Sequence, residues 1–190
     1  MKRKGRVFVI SAPSGSGKTT IASRAVRKLK NISPSISFTT RRPRQGESDK
    51  KDYYYVSKLE FKKAIKKKKL LEWASNYGYY YGTPKRPVFD KTKKGKDVLL
   101  SIDVKGAMQV KRKMPQSILV FIKPPSVDEL KRRLDGRNSD TKSEIKKRLK
   151  IAKKELSYIP KYDHVITNDK LENAVKKLVS LIKKERKTVR

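Results

Sequence analysis

The chain has 190 residues, enough for one sizeable core with insertions, and carries 52 Lys and Arg against 18 Asp and Glu, a formal charge of +34. With no cysteine and a single histidine, His164, it can form no disulfide or thiolate metal site, and a zinc or iron centre would lack ligands. No stretch approaches the length of a membrane span, and the basic start leads into an apolar run too short for a secretion signal, so a soluble, cytoplasmic protein is expected.

The apolar run Val7 to Ile10 predicts a buried strand. A turn follows, made of Ala12, Pro13, Ser14, Gly15, Ser16, Gly17, Lys18, Thr19 and Thr20, and then Ile21, Ala22, Ala25, Val26 and Leu29 recur at helical spacing. A strand, a glycine-rich turn and a helix in that order make a phosphate-binding loop, because backbone N–H groups and the positive helix end converge on a polyphosphate. Gly15 and Gly17 allow the close approach, Lys18 reaches the β and γ phosphates, and the Thr19 hydroxyl is placed to hold Mg²⁺. Ala12 stands where the strict pattern has glycine, at the most tolerant position of the loop.

From about Ser35 to Gly82 the rhythm changes. Short alternating pieces (Ser35 to Thr39, Tyr53 to Val56), an amphipathic helix from about Lys58 to Lys69 and most of the tyrosines predict a small mixed insertion. Within it, Arg41 and Arg44 stand three apart on a turn, followed by Gly46, Glu47, Asp52 and Tyr53. Guanidinium forks and a phenol on one rim suit a phosphate monoester.

Beyond the insertion, Val98 to Ile102, Ile118 to Ile122 and, more weakly, His164 to Thr167 predict buried strands bracketed by helical patterns. Ser126 to Glu129 reads as a capping box opening a helix through Leu134. Thr141 to Glu144 reads as a second box, opening a helix with Ile145, Leu149, Ala152 and Leu156 on one side. Asp169 to Glu172 opens a last helix carrying Leu171, Val175, Leu178 and Ile182. The segment from Lys183 to Arg190 is expected to fray. The fold class that results is α/β, a parallel sheet of phosphate-loop NTPase type wrapped by helices. Much of the basic excess falls on helix faces, at Lys62, Lys63, Lys146, Lys147 and Lys150 among others, and reads as solvated surface. No dedicated nucleic-acid partner and no membrane partner are expected, although a general positive field allows non-specific binding of polyanions.

Taken together the motifs resemble the guanylate kinase family from about Arg6 to Ile182. They are SAPSGSGKT at 11 to 19, TTRRPR at 39 to 44, GE at 46 and 47 with DYYYV at 52 to 56, LEWA at 71 to 74, GYYYGT at 78 to 83, IDVKGA at 102 to 107, PPS at 124 to 126, RLDGR at 133 to 137 and ITND at 166 to 169. The resemblance implies a nucleoside monophosphate kinase that moves the γ-phosphoryl group of ATP to GMP, with Mg²⁺. It implies a nucleotide-binding core at 1–34, 84–126 and 160–190, a GMP-binding insertion at 35–83 and a helical lid at 127–159. By the same resemblance Arg41, Arg44, Tyr53 and Tyr81 hold the GMP phosphate, and Ser37, Glu72, Thr83 and Asp103 read the guanine. Arg133, Arg137 and Arg148 match lid arginines that close over the ATP phosphates, and Asn168 matches a position beside the adenine.

Two positions depart from the family pattern. Ser101 stands where an Asp is common, which would alter the handling of Mg²⁺ and its waters, and Asn138 replaces a glycine after Gly136 and Arg137. Two other functional classes compete with the kinase. A catalytically inactive binding module of this family would have a damaged phosphate loop, whereas Lys18 and Thr19 are intact here, and a basic nucleic-acid-binding protein would rest on the charge alone.

Overall fold

A computed structural model of the chain describes residues 3–76, 78–135 and 142–188. Its centre is a five-stranded parallel sheet of β1 (Val7–Ser11), β2 (Ile32–Pro34), β7 (Asp97–Ser101), β8 (Ile118–Lys123) and β9 (His164–Thr167), in the order β2-β7-β1-β8-β9. Val9 lies opposite Leu100 on one side and Leu119 on the other. Successive residues of a strand face opposite ways, so β1, buried throughout, feeds two cores. Phe8 and Ile10 pack with Ile21 and Ala25 of α1 (Lys18–Arg27) and with Val175, Leu178 and Ile182 of α7 (Leu171–Lys187). Val7 and Val9 pack with Val88 of α3 (Lys85–Lys93), with Ala107 and Val110 of α4 (Val104–Lys113), and with Tyr162. Burial on both faces is why β1, β7 and β8 read as unbroken apolar runs. The edge strand β2 shows no such run, since Ile32 is its only buried residue and Pro34 ends it.

The insertion forms a second, four-stranded sheet of β3 (Ser37–Thr39), β4 (Tyr53–Tyr55), β5 (Leu70–Asn76) and β6 (Tyr79–Pro84), ordered β4-β3-β6-β5. The strands β5 and β6 are an antiparallel pair that sets Glu72 opposite Thr83. Helix α2 (Lys58–Lys66) opens on a complete capping box between Ser57 and Glu60 and buries Phe61 against Phe38 and Tyr80. It stops three residues short of the expected Lys69. Lys68 takes a left-handed φ of 50° and the Lys69 N–H turns back to Ala64 O at 3.0 Å, swinging the chain into β5.

Three expectations about helix ends change, and a fourth lies outside the described residues. Ser126 caps α5 (Val127–Asp135) by accepting from the Glu129 N–H at 3.0 Å, but the Glu129 carboxylate goes to Arg132 and Arg133 instead of closing a box. The box expected at Thr141 lies outside the described residues, ahead of α6 (Lys142–Leu156). The start of α7 has Lys170 as its cap with no side-chain hydrogen bond, because Asp169 accepts the neighbouring Lys170 N–H and Glu172 pairs with Arg24 of α1. At its other end α7 does not fray at Lys183 but runs to Lys187. Arg186 holds it there, 2.7 Å from the buried carboxylate of Asp97.

Candidate active site

At the carboxyl end of β1 the chain makes its tight turn with Gly15 at φ 89° and Gly17 at φ 81°. Gly17 is the residue before α1 and offers no side-chain cap, so the first N–H groups of that helix remain available to an anion. The turn is braced from the end of β9, where Asn168 donates from Nδ2 to Ser16 O at 2.9 Å and from its own N–H to Lys123 O at 2.8 Å. A Cβ on Gly17 would come within 2.7 Å of that Asn168 amide nitrogen, so this position excludes any larger residue on two counts.

Lys18 is half-buried and donates from Nζ to Ile102 O at 2.9 Å. Burial lowers its pKa, and the nearby carboxylates of Asp103, Glu155 and Glu72 oppose that shift in decreasing order. Thr19 and Thr20 are exposed on the first turn of α1. Asp103, just past the end of β7, caps α4 by accepting from the Gly106 N–H at 2.8 Å and also accepts from the Asn76 amide.

On the neighbouring sheet, Ser37, Thr83 and Glu72 lie on the adjacent strands β3, β6 and β5. The Thr83 hydroxyl donates to Glu72 Oε1 at 2.7 Å, and Ser37 Oγ is 3.4 Å from Thr83 Oγ1. Glu72 is only 3% exposed. Burial raises its pKa to about 7, with Asp103 adding to the rise and Thr83 and Lys113 working against it. A Cβ on Gly106 would collide with the Glu72 carboxylate, so the bare backbone of α4 is what lets that carboxylate fit.

Arg41 is held by neighbouring groups of the insertion. Its guanidinium donates to both Glu47 oxygens, at 2.9 and 2.8 Å, and lies 5.6 Å from the centre of the Tyr53 ring, which in turn meets Tyr81 at 6.0 Å. Glu47 also accepts from the Arg44 N–H at 2.8 Å and from the Tyr55 hydroxyl at 2.9 Å. Burial alone would raise its pKa, but these bonds hold it below the usual value. The Arg44 side chain is exposed.

The remaining candidates come from α5 and α6, which pack through Leu130 and Ala152. Arg133 bonds to Glu129 Oε1 at 2.8 Å and to Asn168 O at 3.2 Å, reaching the same residue that braces the turn. Arg148 is half-buried on α6. Arg137 and Asn138 lie outside the described residues.

Sequence reasoning did not single out Glu155, Asn76 or Gly106, and treated Glu47 only as part of a motif. Glu155 is half-buried on α6, and burial brings its pKa to about 7, with Lys18 opposing and Asp103 adding. It sits in a helix crowded with lysines, where nothing local marks it.

Geometrically, an anion-binding turn with a lysine adjoins a sheet that presents a buried carboxylate between hydroxyls and a preset arginine. Such a pairing suits two phosphorylated ligands brought together.

The protein-family model described as guanylate kinase matches residues 4–185. The guanylate kinase of Caldanaerobacter subterraneus subsp. tengcongensis is 46% identical over 182 residues, covering 96% of this chain and 88% of the relative. That of Clostridium tetani is 46% identical over 183 residues with the same coverages. The crystal structure of guanylate kinase from Anaplasma phagocytophilum superposes with a TM-score of 0.83 at 33% identity, covering 99% of this chain and 89% of that one. With the family model spanning most of the chain and relatives this similar along nearly all of it, the chain belongs to the guanylate kinase family.

Proposed function

We infer that the chain transfers the γ-phosphoryl group of ATP to GMP, giving ADP and GDP. The observation that carries the guanine reading is the buried carboxylate of Glu72 flanked by the hydroxyls of Thr83 and Ser37. Guanine N1–H and the 2-amino group both donate, and O6 accepts. A carboxylate with adjacent hydroxyls complements that edge, whereas adenine presents the reverse pattern. AMP would leave a desolvated carboxylate unpaired, and sites of this kind discriminate by roughly 10⁴-fold. We assign the base to Ser37, Glu72, Thr83 and Asp103, and the GMP phosphate to Arg41, Arg44, Tyr53 and Tyr81. Arg41, held by Glu47 through Nη2 and by the Arg42 carbonyl through Nη1, loses little entropy on binding that phosphate.

ATP is assigned to the turn from Ala12 to Thr20, with Asn168 beside it. A phosphate oxygen of GMP attacks the γ-phosphorus as the bond to the ADP oxygen breaks. The transition state is loose and spreads charge over equatorial oxygens, so positioning and cations supply the catalysis. Lys18 leaves its Ile102 carbonyl for the phosphates, and Arg133, Arg137 and Arg148 close from the lid, excluding water that would otherwise take the phosphoryl group. Mg²⁺ takes hard oxygen ligands and needs only one or two from the protein when phosphates supply the rest. The exposed Thr19 hydroxyl on the first turn of α1 fits that need. Bound there, Mg²⁺ would help neutralise the transferring group.

In this scheme residues 1–34, 84–126 and 160–190 form the nucleotide-binding core, 35–83 the GMP-binding part and 127–159 the lid. Among the described residues no helix is long and apolar enough to cross a membrane. We place the reaction in the cytoplasm, with its nucleotide substrates.

The test is to incubate the protein with ATP, GMP and Mg²⁺ and separate the products by chromatography. ADP and GDP in equal amounts support the reading. ADP without GDP would mean hydrolysis, and no turnover by folded protein would remove the assignment.

A further inference from the structure

The phosphate-binding turn and Asp103 lie where the parallel strands end, and the opposite edge, where the strands begin, has a chemistry of its own. Helices that link parallel strands run back against them, so α1, α3, α4 and α7 all end at this edge. Hydrogen bonds tie these ends together around the buried Asp97. Its carboxylate accepts from Arg3 at 2.8 Å, from the Arg6 N–H at 2.8 Å and from Arg186 at 2.7 Å, and Arg186 also donates to Lys30 O beyond α1. The Gly5 N–H donates to Thr92 O in the last turn of α3.

The charge gathered here exceeds what the helices need. Their last turns hold two basic residues each from α1 and α3 and three each from α4 and α7. A helix end carries about half a negative charge, hence about two charges for the four ends. Few acids answer the rest. Asp97 is enclosed by guanidinium groups, Asp163 is taken by Lys111 at 3.0 Å, and Glu185 is buried with His164 at 3.0 Å. Among the described residues Arg24 pairs with Glu172, and Asp90 in the last turn of α3 is paired with Arg86. The turns beyond the helices add Lys30, Lys94 and Lys96, and a basin of about 600 Å³ opens among Arg3, Asn31, Lys93, Lys94 and Gly95.

We propose that this face docks the phosphate backbone of a nucleic-acid duplex, without sequence preference. The scarcity of exposed apolar side chains selects this occupant among polyanions. Among the described residues, the large exposed apolar side chains are Leu59, Trp73, Tyr79, Phe89, Val127, Ile151 and Val165, and of these Phe89, one turn before Lys93 on α3, and Val165, at the start of β9, come near this edge. A lone ring gives successive unpaired bases no platform to stack on, and two scattered apolar side chains give an acyl layer little to take up. Cations alone are what a duplex backbone recruits, through release of its counterions.

The experiment measures binding of a random-sequence duplex by fluorescence anisotropy between ~50 and ~200 mM salt, with a single strand of equal length and anionic vesicles in parallel. It compares three proteins: the natural chain, a face variant with Lys30→Gln, Lys93→Gln, Lys94→Gln and Lys96→Gln, and a control with Lys62→Gln, Lys66→Gln, Lys146→Gln and Lys150→Gln. If all four face lysines contact phosphates, the slope of log K against log salt falls by about 3 to 4 in the face variant and by less than about 1 in the control. Both variants should keep the melting temperature and phosphoryl transfer of the natural chain. Equal loss of slope in the two variants would overturn the proposal, because the charge would then act as a diffuse field. Tighter binding of the single strand or of vesicles than of the duplex would overturn it as well.

Discussion

Glu72→Gln preserves the side chain's shape and an acceptor for the Thr83 hydroxyl while removing a charge that burial disfavours. The carboxyl titrates at about 7 in the folded chain against an ordinary 4.5. As pH rises the unfolded chain therefore ionises first, and this group withdraws stability from the native state between pH 4.5 and about 7. Worked through the linkage relation, the cost is about 3 kcal/mol at pH ~8 and under about 1 kcal/mol at pH ~5. The glutamine variant should be more stable than the natural chain by those amounts. Near pH 8 this is a rise of roughly 6 to 12 °C in Tm for a chain of this size. Glu155 titrates over the same range but is common to both proteins and cancels in the difference. Urea unfolding of both proteins at pH ~5 and ~8 measures the effect, while kcat/KM for GMP, deprived of the charged acceptor, should fall by about 10²-fold or more. A variant no more stable at pH ~8 than at pH ~5, relative to the natural chain, would refute the claim that burial sets this carboxyl's pKa.

Three further substitutions probe separate parts of the structure. Lys18→Ala should lower kcat by about 10³-fold with a melting temperature no lower than that of the natural chain, since desolvation disfavours the lysine's charge and the side chain contributes transition-state charge stabilisation. Gly106→Ala pushes a methyl group into the Glu72 carboxylate; we expect a loss of about 1 to 3 kcal/mol in urea unfolding and a raised KM for GMP with little change in KM for ATP. Asp97→Ala leaves Arg186 and the Arg6 N–H without their shared acceptor and should cost about 3 kcal/mol, with hydrogen exchange accelerated first in the last turns of α7.

What the sequence revealed depended on whether the cause was local. Strands buried on both faces showed as apolar runs, and the phosphate turn showed because glycine, lysine and threonine spacing is itself the mechanism. The strand β2 was not legible, because a single buried Ile32 makes no pattern. Glu72 and Thr83 stood out only through family motifs. Their hydrogen bond comes from cross-strand register between β5 and β6, which no single segment encodes. Glu47 was visible as a neighbour of the arginines, yet its pairing with Arg41 depends on how the intervening turn folds. Long-range partners also explain the misjudged helix ends. Asp169 and Glu172 have the spacing of a box, but Glu172 answers Arg24, 148 positions away, and the Lys-rich C-terminus is held by Asp97 across the sheet.

Whether a buried carboxylate reads guanine for phosphoryl transfer is decided by kcat/KM for GMP and for AMP with ATP and Mg²⁺ under identical conditions. With Glu72 reading the base, the ratio favours GMP by about 10⁴ or more. Comparable turnover of AMP would contradict it, because Glu72 would then be buried for some purpose other than reading the base.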